Sequence, residues 1–246
     1  MSGHSKWATI KHAKGAADAK RGQIFTKLIK EISIAARMGG GSPDSNPRLR
    51  TAILKARAAN MPKDNIDRAI KKGTGELEGV SYEELVYEAY APGGVAIFIE
   101  VLTDNKNRAA ADIRNILTRA GGQLATSGSV SRLFKRLGVI TLDGEKYTED
   151  AVMEAALEGG AEDISTSSGL IEVTSAPEDF ESVLTALQDK NFETMSAEIS
   201  MVAEAEVSLD NDGTAKALRL IDKLEENDDV QNVYSNITIP DGFEAE

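Results

Sequence analysis

The chain contains no cysteine. Disulfides, thiolate metal sites, iron–sulfur clusters and cysteine nucleophiles are therefore excluded, and the composition suits a reducing compartment. Aromatic residues make up only 5%, so any core must be built mainly from Ile, Leu, Val and Ala. No apolar run approaches the ~20 residues that cross a bilayer, and no membrane association is expected. The early lysines are followed by no apolar stretch, so a signal peptide is not expected either. The same basic, Ala-rich start has a slight likeness to a mitochondrial targeting segment, but a regular helical pattern begins soon after it. Cytoplasm is the expected compartment. There are two histidines, His4 and His12. They lie in a segment with few carboxylates, which does not make up the three or four ligands a metal site usually takes. No metal and no cofactor is expected.

What the chain does have is charge, sorted by position. Residues 1–72 carry 16 Lys/Arg against 5 Asp/Glu, and residues 73–246 carry 12 against 35. A net charge of −12 therefore hides a basic head on an acidic body. A polyanion such as DNA or RNA would meet the head and be repelled by most of the rest. With 246 residues, 41% hydrophobic and 28% charged, the chain is long enough for one large domain or two to three small ones.

Residues 1–17 lack clean periodicity and read as a basic arm. Asp18 can cap a helix that runs to about Met38 and stops at Gly39-Gly40-Gly41. On it Ile24, Phe25, Leu28, Ile29, Ile32, Ala35 and Ala36 share one arc, and Lys20, Lys27, Lys30 and Arg37 lie on the other side. Two residues break the pattern: Arg21 points toward the apolar arc, and Ile34 lies in the basic one. Further helices are expected over 48–59 and from Pro62 to Gly73, which would complete a small bundle. The pattern then changes. Strands are expected over 82–91 and 95–102, a helix capped by Asp104 or Asn105, and a short strand over 129–134. Residues 138–202 follow the order β-α-β-β-α-β of a ferredoxin-like unit. A short strand, a helix and a last strand close the chain. The expected fold is α+β and multidomain: an N-terminal helical bundle, then two α/β-sandwich, ferredoxin-like domains, one inserted in the other. The boundaries are 1–78 for the head with its arm, 79–135 plus 205–240 for the middle domain, and 136–204 for the insert. Tandem domains are the alternative.

The candidate nucleic-acid-binding residues are Lys6, Trp7, Lys11, His12, Lys14, Lys20, Arg21, Lys27, Lys30, Arg37, Arg48 and Arg50. Lysine meets phosphate as a point charge and arginine as a fork that binds two oxygens. The competing reading is a solvated helix face. Trp7 could stack on a base or anchor the arm to the protein's own core. The segment 104–136 forms a second basic island, with 7 bases against 2 acids. Its helix start could hold a phosphate on free N–H groups or could be an ordinary N-cap. Residues 137–246 have 5 bases against 27 acids. That surface could bind a basic protein partner, exclude nucleic acid, or confer solubility. Glu225-Glu226 and Asp228-Asp229 fall at a helix end and a turn with no His, Cys or Gly-rich element beside them. No catalytic residues and no enzyme activity are expected.

The first 35 residues resemble the N-terminal signature of the YebC family. The matching residues are Gly3-His4-Ser5-Lys6-Trp7, Ile10-Lys11-His12, Lys14, Asp18, Arg21, Phe25, Lys27 and Glu31. Similar matches continue through Asn60-Met61-Pro62, Ile66, Arg68-Ala69-Ile70, Tyr87-Glu88, Tyr90-Ala91-Pro92-Gly93-Gly94, Asp104-Asn105, Arg108 and Gly121-Gly122. The resemblance implies a helical N-terminal domain, two α+β domains and a DNA-binding transcriptional regulator. It also implies a second role, because mitochondrial and some bacterial relatives look like ribosome-associated translation activators. The expected partner is thus DNA, ribosomal RNA, or both. A third class, a protein-interaction adaptor built on the acidic domains, predicts binding that survives loss of the head's lysines.

Overall fold

The structure is a computed structural model that describes residues 19–167, 169–240 and 243. The head consists of α1 (Ala19–Gly39), α2 (Pro47–Ala58) and α3 (Lys63–Thr74). The reason α2 starts where it does is local. Asn46 accepts from Leu49 N at 3.1 Å as N-cap, and Pro47 supplies a preset first turn. The Asn46 side-chain amide also donates to the Ala35 and Gly40 carbonyls, both at 2.8 Å. One residue therefore opens α2 and closes α1. At the other end α3 stops at Gly75, whose φ of 83° lies in the left-handed region. The bundle core is aliphatic and small, with Ile32, Ala35, Leu49, Ile53, Ala56 and Ile66 at its centre. Gly73 lets α3 cross close over α1, since a Cβ there would stand 2.2 Å from the Ser33 carbonyl oxygen.

Next come β1 (Glu83–Ala91), β2 (Val95–Thr103), α4 (Lys106–Arg119) and β3 (Gln123–Leu124). β1 and β2 form an antiparallel hairpin closed at Ala91↔Val95 by Pro92-Gly93-Gly94. After a 3₁₀ turn at Ser131–Leu133, the chain runs through β4 (Phe134–Asp143), α5 (Glu149–Gly159), β5 (Ala161–Ser167), β6 (Leu170–Ser175), α6 (Phe180–Asp189) and β7 (Thr194–Ala203). It ends with β8 (Val207–Ser208), α7 (Asn211–Glu225), β9 (Val230–Ser235) and β10 (Ile237–Thr238).

The sheets show an insertion. One sheet has the order β3-β1-β2-β9, so its last strand returns after the whole β4–β7 segment. The other has the order β5-β6-β4-β7, every pair antiparallel. With α5 and α6 packed on it, this sheet is the ferredoxin-like unit. Behind the first sheet, α4 and α7 bury Ile113, Leu117, Leu220, Ile221 and Leu224 against Ile97, Ile99 and Val233. Its opposite face presents Phe98 and Tyr234 to Phe134, with Met201 and Ala203 of β7 packed against them. The ring centroids of Phe98 and Phe134 lie 6.1 Å apart, and those of Phe98 and Tyr234 6.2 Å apart.

One expected element is corrected. The strand expected over 129–134 is a loop and a 3₁₀ turn, and β4 begins only at Phe134. The cause is Glu88, which is 6% exposed. Its carboxylate accepts the backbone N–H groups of Gly128 (2.6 Å), Val130 and Ser131 (3.0 Å). Those donors are then closed to any strand partner. β4 is also longer than the 138–142 read from the sequence, so the expected domain boundary at 135/136 falls inside a strand.

Candidate nucleic-acid interface

The head's cations divide into those turned into the molecule and those left in solvent. The first group lies on α1. Lys30 is only 7% exposed. Its ammonium donates to Asp229 Oδ1 at 2.6 Å, to the Asp228 carbonyl at 2.8 Å and to the Leu102 carbonyl at 3.3 Å. One turn earlier, Lys27 donates to the Glu225 carbonyl at 2.7 Å, and a further turn back Gln23 donates to that of Glu226. Two turns later, Arg37 bonds Ser81 and the Tyr82 carbonyl. Of the stripe read as phosphate-facing, Lys27 and Lys30 are therefore seated on the end of α7 and the turn before β9, and Arg37 on residues 81–82. Ile34, which looks misplaced in that stripe, is 2% exposed, as a residue on a covered face should be.

Asp229 is the other half of this contact. It is 4% exposed and also accepts from Arg108 Nη2 at 2.9 Å. Burial pushes its carboxyl up, but the Lys30 ammonium and the Arg108 guanidinium outweigh burial and hold it below the usual carboxylate range. Arg108 binds Asp104 as well, at 2.6 Å. The start of α4 is capped by Asn105, which accepts from Arg108 N at 3.0 Å. That terminus is an ordinary N-cap with its charges already matched.

The second group lies on α2 and α3. From residue 47 to 74 there are eight bases and two acids. Arg57, Lys63, Arg68, Lys71 and Lys72 are exposed, and none of the ion pairs among the described residues takes them up. Arg57, Lys63 and Lys71 come together on the rim of a groove of about 490 Å³ between the two helices. Ile53, Met61, Ile66 and Ile70 line its floor, and Asp67 and Glu76 are the acids beside it. Such a surface can hold a phosphate backbone by charge and rest sugar or base edges on aliphatic carbon.

The remaining candidates are scattered. Arg21 is exposed and stands 5.7 Å over the Phe25 ring. Arg48 binds Glu31 through Nε at 2.7 Å and through Nη2 at 3.1 Å, and it also reaches Glu84. Arg50 is exposed and donates to the Pro43 carbonyl at 3.1 Å. Lys6, Trp7, Lys11, His12 and Lys14 lie outside the described residues, as does the side chain of Lys20. In the second island, Lys106, Arg108 and Lys135 face Glu83, Asp229 and Glu204, while Arg114, Arg119, Arg132 and Arg136 are exposed. Among the described residues no acid or histidine cluster could hold a metal ion, and no helix is long and apolar enough to cross a membrane.

Sequence models of two family domains match this molecule. The one described as TACO1/YebC protein N-terminal domain covers residues 5–76, and the one described as TACO1/YebC second and third domain covers 82–237. The chain belongs to the TACO1/YebC family. A probable transcriptional regulatory protein of Treponema denticola is 70% identical over 244 residues, 99% of each chain. Another, from Borreliella burgdorferi, is 56% identical and covers 98% of this chain and 99% of its own. The crystal structure of a conserved hypothetical protein, Aq1575, from Aquifex aeolicus superposes with a TM-score of 0.83 at 43% identity. That match covers 93% of this chain and 95% of the Aquifex one. The relatives' names are those of regulators of transcription rather than of enzymes. In this TACO1/YebC chain the sequence reading passed over Lys63, Lys71 and Lys72. A signal for them exists: they sit on a helix whose only acids are Asp64 and Asp67.

Proposed function

We propose that this chain is a nucleic-acid-binding regulator of transcription, and that its head grips duplex DNA through the α2–α3 face together with the N-terminal arm. The observation that carries the reading is the set of five exposed, unmatched cations on α2 and α3, three of them around one groove. On this view the working units are 1–78, 79–135 with 205–240, and 136–204. The acidic units keep the polymer on the basic side by repulsion. Relatives named as transcriptional regulators agree with this role.

A second reading, an RNA-binding translation activator on the ribosome, is favoured by one feature of α3. Its exposed cations are mainly lysines, which hold phosphates as point charges, with Arg68 alone among aspartates rather than a set of Arg, Asn and Gln side chains for reading base edges. Both readings predict binding that weakens steeply with salt. With ~6 phosphates contacted, affinity falls ~10³-fold between 50 and 200 mM.

The test uses fluorescence anisotropy on the full chain, with a 30-base-pair duplex and with a ribosomal RNA fragment. Replacing Arg57, Lys63, Arg68, Lys71 and Lys72 by Gln should weaken binding at least ~100-fold and flatten the salt slope by about 4. Unchanged binding would move the partner to the acidic units and refute the proposal. Tighter binding to the RNA than to the duplex would select the translation reading.

A further inference from the structure

We propose that the seam between α1 and the α7–β9 corner is a latch that a bound polyanion opens. The inference rests on the nucleic-acid reading above and goes beyond it. The seam is made of the same chemistry that would bind phosphate. Lys27 and Lys30 place their ammonium groups on the Glu225 and Asp228 carbonyls and on the Asp229 carboxylate, at 2.6 to 2.8 Å. The acceptors gather at the C-terminal end of α7, where the helix dipole is negative and the last carbonyls lack intrahelical partners. An ammonium held there cannot also meet a phosphate, so the body and a polyanion compete for one set of donors.

Two further features suit a contact that opens. The seam is not tightly filled: a cleft of about 470 Å³, bordered by Thr26, Lys30, Tyr82, Arg108 and Asp228, runs along it. The connection between head and body is residues 75–81, and every one of them is exposed. Outside the seam the head also meets the body through half-exposed ion pairs, Arg48 with Glu84 and Lys55 with Glu198, which opening exchanges for water. In the closed form the main cluster of unmatched cations described in the head lies on α2 and α3, with Arg21 also exposed at the start of α1. In the open form α1 adds Lys27 and Lys30, and the bound surface grows. Polymer affinity and closure are then linked in opposite directions.

The absence of cysteine makes the test direct, because two introduced cysteines are the only labelling sites. The full chain carrying Thr51→Cys on α2 and Arg219→Cys on α7, both exposed positions, is spin-labelled for distance measurement. Saturation with the 30-base-pair duplex should lengthen and broaden the inter-label distance. Asp229→Asn should do so without DNA and should tighten duplex binding about tenfold at 50 mM salt. If Asp229→Asn fails to fold, Gln23→Ala decides. It removes an uncharged seam donor and should tighten binding about threefold. An unchanged label distance at full duplex saturation overturns the latch and leaves the nucleic-acid reading intact. So does weaker binding by a folded Asp229→Asn or Gln23→Ala variant. If neither the duplex nor the ribosomal RNA fragment binds at 50 mM salt, the nucleic-acid reading falls and takes the latch with it.

Discussion

Two buried carboxylates do different work with similar means. Asp229 joins the head to the body through Lys30 and holds Arg108 beside it. Glu88 holds the 128–131 loop by its backbone N–H groups. Removing Asp229 takes the ionic partner from Lys30 and loosens the seam, so Asp229→Ala should cost about 2 kcal/mol, read from the urea midpoint. For Glu88, burial raises the pKa, but the bonds from Gly128, Ser131 and Val130 outweigh it and hold the carboxyl low. Both carboxyls therefore sit below their unfolded-state values. Their contribution is complete above about pH 5 and is lost as pH falls through the folded-state values. Urea midpoints should then be insensitive to these groups from pH 8 to about 5.5 and drop below about pH 4. Glu88→Gln should cost about 2 kcal/mol at neutral pH and make the acid drop shallower. An acid limb of the same steepness in that variant would exclude the assignment. Little of this was legible beforehand. The sequence shows Asp229 as one acid of a pair on a turn, and nothing in its spacing links it to a lysine 199 residues away.

Helices and strands were far more readable, because periodicity and caps are local. All three head helices, the β1–β2 hairpin and the ferredoxin-like order come directly from apolar spacing and Gly stops, with Asn105 as the cap expected at Asp104 or Asn105; the cap expected at Asp18 lies outside the described residues. Two kinds of element escaped. Short pairings such as β3, with two residues, carry no pattern. The 129–134 segment has strand-like residues but loses its donors to Glu88, a tertiary effect. The covered second face of α1 is an intermediate case. Ile34 among the lysines was the one visible sign that this side is also packed. Close helix crossings give the sharpest prediction at this scale. Gly73→Ala should force α3 off α1 at the Ser33 carbonyl and cost about 2 to 3 kcal/mol. Gly159→Ala, whose Cβ would lie 2.6 Å from Val183 Cα, should do the same between α5 and α6. A thermal unfolding midpoint within about 1 °C of the wild type in either variant would contradict the crossing geometry.

Across the whole molecule, charge separation is the organising feature, and the sequence displayed it openly. What it could not display is which part of the basic surplus the molecule uses on itself. Folding sets Lys27, Lys30 and Arg37 of α1 against the body and leaves Arg57, Lys63, Arg68, Lys71 and Lys72 of α2 and α3 in solvent. The molecule thus has a smaller free cationic surface than its head composition suggests, with a reserve behind the seam. Deleting residues 1–78 should abolish polymer binding while the two sheet units keep their cooperative unfolding, which circular dichroism would follow. The most direct measurement is the salt dependence of duplex DNA and ribosomal RNA binding by the full chain and by the five-site α2–α3 Gln variant. The account predicts a slope near −5 for the full chain on duplex, reduced to about −1 in the variant. Equal slopes for the two proteins, or binding that does not respond to salt, would contradict it.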